Sequence, residues 1–140
     1  GCEDVDTTVQ ACVPFYGVYD LANILETKTG EREFRHFLAP TLFKSRDKDF
    51  ARTASPLTLT RPDAPPFFVV HGDLDTFALV EGAREFVAAL RSASASPVVF
   101  AELPGAQHSF DVLASPRFEA VVDGVEAFAA WVRSVDTSRD

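Results

Sequence analysis

A chain of 140 residues fits one domain, and such a domain hides roughly two-thirds of its unfolded surface, enough for a true core. With 46 % hydrophobic and 24 % charged residues the chain is not disordered as a whole, and two cysteines, Cys2 and Cys12, are too few for a disulfide scaffold. A net charge of −8, without a basic stripe, speaks against nucleic acid as a main partner.

After a polar, acidic opening, Ala11-Cys12-Val13-Pro14-Phe15-Tyr16 reads as a short strand stopped by Gly17. Pro14 marks it as an edge or a bulge, because proline cannot donate to a ladder. Charges then become frequent. Phe34, Phe37 and Leu38 fall at helical spacing, which predicts a helix over 31–39 that ends before Pro40. A second short helix is expected over 47–53. Residues 21–60 together read as a small helical, cap-like insert.

Phe67-Phe68-Val69-Val70-His71 is a continuous apolar run between breakers, suited to a strand buried on both faces of a parallel sheet. Leu79, Val80, Ala83, Phe86, Val87 and Leu90 give the next helix its apolar stripe. Pro97 opens a further strand over 98–103. Ser115-Pro116 is a helix start, Ser as N-cap and Pro at the first helical position. Phe118, Val121, Val122, Val125, Phe128, Ala129 and Val132 form the expected stripe of that last helix, with Trp131 at its margin. Strands alternating with amphipathic helices make this an α/β chain with three mostly parallel strands, flanking helices and the insert.

The longest stretch without Asp, Glu, Lys, Arg or His, Thr7 to Tyr19, is thirteen residues, short of the ~20 of a spanning helix. The first residues do not form a signal peptide, and the sequence gives no compartment.

Ligands of parallel α/β sheets bind at the carboxyl ends of the strands. Two such ends carry chemistry here. His71-Gly72-Asp73-Leu74-Asp75 follows one strand and Gly105-Ala106-Gln107-His108-Ser109-Phe110 follows the next. An acid and a histidine on neighbouring strand ends can meet, the carboxylate fixing the imidazole tautomer and stabilising the imidazolium.

These two motifs, in this order and 33 residues apart between Asp75 and His108, resemble the C-terminal half of α/β-hydrolase-fold carboxylesterases and lipases. The likeness is greatest to the hormone-sensitive-lipase-like group of actinobacteria, and Ala54-Ser55-Pro56-Leu57 fits it too. The resemblance covers essentially the whole chain. It implies that Asp75 is the triad acid and His108 the general base of a serine-type ester hydrolase that needs no cofactor. It also implies a small-molecule or lipid ester as substrate. Leu79 departs from the proline that many members have at that helix start. The larger departure is the nucleophile elbow G-x-S-x-G, because no serine here has glycine two residues before and two after. The nucleophile and oxyanion hole are therefore expected upstream, in a missing N-terminal half, and this chain alone is expected to be inactive. A cut of that kind bares the 11–16 strand edge, so self-association of the fragment is expected as well.

Other readings stand beside these. Asp75 could simply cap the following helix, and His108 could be a surface-loop histidine. Asp73 suits a solvated or loop-capping carboxylate, His71 a strand-end residue bonded to backbone, and His36 a plain surface histidine. Phe34, Phe37, Phe43 and Phe50 could line an acyl pocket or merely glue the cap to the sheet. Tyr16, Gly17 and Asp20 face the site in a structural capacity. Cys12 reads as a small core hydrophobe, and the three histidines show no metal-ligand spacing. Hydrolysis of another bond (amide, thioester, epoxide) on the same fold, and a non-catalytic ligand-binding module, remain the rival functions.

Overall fold

Phe67–Gly72 forms strand β1, and its side chains alternate between two covered faces, which explains why Phe67 to Val70 are all apolar. The computed structural model describes residues 5–6, 8–21 and 48–136. Val69 points into a cluster with Tyr19, Ala64, Ala83, Phe86, Val87 and Leu90. Phe68 and Val70 point to the opposite cluster with Val121, Phe128 and Val132. A strand covered on both faces can afford no polar side, which is the signature of a central parallel strand.

Helix α1 is Lys48–Ala54, followed by a 3-10 turn over Pro56–Leu59. Helix α2 is Val80–Ala93 and strand β2 is Val98–Leu103. Helix α3 is Pro116–Asp136. Strands β1 and β2 pair in parallel, from Phe67 opposite Val98 to Gly72 opposite Leu103. Helix α2 covers one face with Val80, Ala83, Phe86, Val87 and Leu90 buried. Its Leu79 is half exposed at the N-cap position. Helix α3 covers the other face. Ser115 starts it as expected, its Oγ accepting the Phe118 N–H at 3.2 Å. Val121, Val125, Phe128 and Val132 face the sheet. Val122 does not join them and is 37 % exposed. It lies one residue, about 100°, round the helix from Val121 and so falls off the stripe.

The third expected strand is present in altered form. Residues 12–15 run parallel to β1 on the side away from β2, joined by two isolated bridges, Cys12 with Phe67 and Phe15 with Val70. The backbone bonds run Cys12 N to Pro66 O, Phe68 N to Cys12 O, Val70 N to Pro14 O and Tyr16 N to Val70 O, all 2.9–3.0 Å. One rung is missing. Pro14 stands where an N–H would meet the Phe68 carbonyl and has none to give. The ladder is thus broken in the middle by a single residue, while Ala11, Val13 and Phe15 still pack onto the α3-side cluster. Cys12 is a half-buried free thiol, and burial pushes its pKa up.

The short helix expected over 47–53 is α1. The helix expected over 31–39, with His36 and Phe34, Phe37 and Phe43, lies outside the described residues, as does Cys2. The described residues on either side of 22–47 are tied together. The Ser55 hydroxyl, fully buried, accepts the Leu21 N–H at 2.9 Å and donates to the Ala51 carbonyl at 2.8 Å. The Leu57 N–H bonds the Tyr19 carbonyl at 2.9 Å. No helix among the described residues is long and apolar enough to cross a membrane.

Candidate active site

Strands β1 and β2 end side by side, and the loops that leave them are laced together. Asp73 N–H bonds Leu103 O at 3.2 Å, and Leu74 N–H bonds Ala106 O at 3.1 Å. The Asp73 carboxylate accepts the Gly105 N–H at 2.6 Å. Asp73 is thus a loop-capping carboxylate. Two glycines permit the close approach. A Cβ on Gly72 would lie 2.3 Å from the Ala106 carbonyl oxygen, so the second loop can cross the first only where no side chain exists. Gly105 turns the second loop with φ +69°, a conformation open to glycine at little cost.

The crossing brings the two predicted residues together. His108 Nδ1 lies 2.8 Å from Asp75 Oδ2. With Nδ1–H donating to the carboxylate, Nε2 carries the free lone pair. The other carboxylate oxygen, Oδ1, accepts the N–H groups of Phe77 and Ala78, each at 2.8 Å. The capping and histidine-orienting readings of Asp75 thus coexist, one on each oxygen. What Asp75 caps is its own turn, since α2 begins later, at Val80, and its N-cap residue Leu79 makes no side-chain cap.

His71 is wholly buried and bonds the Ala78 carbonyl at 2.7 Å through Nε2, as expected for a strand-end residue that fixes the turn. That same Nε2 is 3.4 Å from Asp75 Oδ2. Burial of Asp75 by itself favours the neutral acid. Hydrogen bonds from His71, Ala78, His108 and Phe77 outweigh it and hold the carboxyl down to about 2. Asp75 is therefore ionised at any ordinary pH, although its side chain is fully buried.

His108 is held more loosely, with its side chain 28 % exposed. Two aromatic rings pack on it, Tyr16 with centroids 4.4 Å apart and Phe77 at 4.8 Å. The Tyr16 hydroxyl donates to the Asp111 carboxylate, 3.1 Å from Oδ1 and 3.3 Å from Oδ2. Burial and that carboxylate push the Tyr16 phenol pKa up. Among the described residues the two non-glycine positions with positive φ are Tyr16 at 38° and Ser109 at 57°. Each costs of order 1–3 kcal/mol, and such strain collects at functional sites. Sequence reasoning placed Tyr16 near the site but missed Phe77 and Asp111. No local signal marks either residue, because their relevance comes from the loop crossing.

Among the described residues no group of three or more His, Cys, Asp or Glu could hold a metal ion. The arrangement offers a proton acceptor, His108 Nε2, backed by a fixed anion. That pair can deprotonate a hydroxyl and return the proton to a leaving group.

Known proteins share this framework. Residues 2–90 match the model of the BD-FAE family. The chain is 44 % identical to a probable carboxylic ester hydrolase, LipM, of Mycobacterium tuberculosis, over 94 % of this chain and 31 % of that protein. It is 41 % identical to the esterase LipQ of the same organism, over 91 % of this chain and 30 % of that protein. It thus spans about a third of the length of the curated relatives it matches. Among solved structures, it superposes on a thermophilic esterase of Thermogutta terrifontis with a TM-score of 0.62 and 20 % identity. That match covers 95 % of this chain and 47 % of the other, and it shows an α/β-hydrolase fold, here in part.

Proposed function

The chain belongs to the BD-FAE family, and from that premise we propose that it is the acid-and-base portion of a serine carboxylic-ester hydrolase. The observation that carries the reading is the 2.8 Å bond from His108 Nδ1 to Asp75 Oδ2, with Oδ1 tied down by two backbone N–H groups. Asp75 is the triad acid. It keeps the Nδ1–H tautomer in place and stabilises the imidazolium, and its low pKa keeps it charged while it does so. His108 is the general base. Its Nε2 takes the proton of a serine Oγ as that oxygen attacks the ester carbonyl, then gives it to the departing alcohol. Water repeats the cycle on the acyl-enzyme, with His108 again as base.

The serine and the oxyanion donors belong to the remainder of a longer protein, because this sequence has no G-x-S-x-G and its curated relatives are about three times as long. We read residues 21–60 as a cap-like insert, whose described flanks meet where the Ser55 hydroxyl bonds the Leu21 N–H and the Ala51 carbonyl. The substrate is a small-molecule or lipid ester, and the chemistry calls on no cofactor.

Hydrolysis of p-nitrophenyl esters by the full-length protein tests this. Replacing His108 by Ala should lower turnover by about 10⁴-fold, and a serine-directed phosphonate should abolish it. The 140-residue chain alone should stay at background and should self-associate in light scattering. Full turnover of the His108→Ala variant would overturn the proposal.

A further inference from the structure

Among the described residues one hydrogen bond fixes His108, to Asp75. A single bond sets the distance of the ring but leaves rotation about the Nδ1–Oδ2 line open. That rotation swings Nε2, the atom that must face the nucleophile, and a displacement of about 1 Å there can cost as much as 10²-fold in rate. Something else must stop the ring from turning, and the contacts of Tyr16 fit that task.

Tyr16 is anchored at its backbone, its N–H bonded to Val70 O at the end of β1 at 2.9 Å. Its ring lies on His108 with centroids 4.4 Å apart. Its hydroxyl reaches past the ring to Asp111, three residues beyond His108. Asp111 is itself held in a turn closed by the Val112 N–H on Ser109 O at 3.1 Å. The loop from 108 to 112 is therefore clamped at the far end by one phenol. Both residues forced into positive φ, Tyr16 and Ser109, sit on either side of this contact. Backbone held against its preference at Tyr16 and two residues before Asp111 marks a contact that the surrounding fold enforces.

We infer that Tyr16 and Asp111 form a latch that sets the orientation of the His108 imidazole, Tyr16 acting as a positioning residue and Asp111 as its anchor. The inference rests on the reading of His108 as the general base. The latch moves no proton in the reaction. It joins the segment before the insert to the loop of the base, two parts of the chain 95 residues apart.

Steady-state kinetics of the full-length enzyme on a p-nitrophenyl ester test it, with Tyr16→Phe, Asp111→Ala, Asp111→Asn, the Tyr16→Phe/Asp111→Ala double variant and His108→Ala. Tyr16→Phe and Asp111→Ala should each lower kcat about tenfold with KM within twofold. The double variant should be no worse than either single one, because both remove the same bond. Asp111→Asn keeps an acceptor oxygen for the phenol and should recover most of the rate, a rescue that a purely electrostatic action of Asp111 would not give. Thermal melting of each variant shows that it is folded, and either single variant suffices should the other fail to fold. Wild-type kcat in Tyr16→Phe and Asp111→Ala, with His108→Ala inactive, would overturn the latch and leave the base assignment intact. So would losses that multiply in the double variant, or losses confined to KM. Activity in His108→Ala would overturn the base assignment and the latch with it.

Discussion

The loop after β1 and the loop after β2 each bring one residue to the candidate site, and they hold it by opposite means. Asp75 has no exposed side-chain surface, and both of its oxygens are bonded. Its turn is fixed again by His71 on the Ala78 carbonyl. His108 is part exposed and is kept in place by one bond and the rings of Tyr16 and Phe77. The first loop is locked by backbone donors, which cannot rearrange without undoing the turn. The second is locked by side chains that reach across from other elements. An anion needs this kind of enclosure to stay charged when buried, because each bond offsets desolvation. A general base, the role proposed for His108, needs access to its reaction partner, so its support comes from the sides. The comparison predicts that changes at the first loop act on stability and activity together, whereas changes at the second act on activity first.

The sharpest break is Asp75→Asn. An amide cannot accept on both oxygens as the carboxylate does, and it favours the wrong tautomer of His108. Turnover of the full-length enzyme should fall by about 10⁴-fold, with denaturant unfolding showing a smaller stability loss alongside. An active Asp75→Asn enzyme would remove Asp75 from the chemistry. Next is Gly72→Ala. The new Cβ would meet the Ala106 carbonyl oxygen at 2.3 Å, a backbone atom that cannot swing away. The loops must separate or the strands must shift, at a cost of about 3 kcal/mol or more, within the range of severe packing and strain defects. A melting temperature within a degree of wild type would show that the loop crossing is softer than the structure implies.

A third test uses pH. The Asp75 carboxyl is held at about 2, against 3.8 when unperturbed. A depressed carboxylate adds stability that is fully present above the unfolded value and is lost as pH falls through the folded one. The window is therefore roughly pH 4 down to 2, and the gain above it is about 2 kcal/mol. Urea unfolding of wild type and Asp75→Asn across that window should show their difference shrinking as pH falls. A difference that stays constant would mean that the bonds on Asp75 do not favour its charged form.

Much of this frame was legible in the sequence. The run 67–71 declared a doubly covered strand, and α2 announced its buried face residue by residue. Asp75 and His108 were reachable because each lies in a short motif at a strand end, where the fold gathers ligands. What stayed hidden depends on contacts between distant parts. The bond from Tyr16 to Asp111 spans 95 positions, and no periodicity encodes it. Pro14 warned of a defect in its strand, and that defect is a single missing rung at the Phe68 carbonyl beside the central strand. Val122 reads in the sequence as part of the buried stripe, and helix geometry turns it outward. The roles of Gly72 and Asp73 became visible only once the second loop was seen to cross the first.

The smallest effect separates the two loops most finely. Gly105 and Ser109 both hold positive φ in the second loop, at 69° and 57°, yet only one is glycine. In the left-handed region an L-residue with a Cβ is worse than glycine by roughly 1–2 kcal/mol. Glycine gives back about 0.5–1 kcal/mol through the greater freedom of its unfolded chain. Ser109→Gly should therefore gain stability by about 0.5–1 kcal/mol, and Gly105→Ala should lose about 1 kcal/mol. In the full-length enzyme, chemical denaturation of the two variants measures both signs. The gain at Ser109 should come with a fall in kcat of a few-fold, because relaxing this backbone loosens the turn that carries Asp111 and, beside it, His108. Were Ser109→Gly to raise stability with kcat untouched, the strain at this position would be incidental to the base. If it lost stability, the Ser109 side chain would be holding more of the loop than its backbone geometry implies.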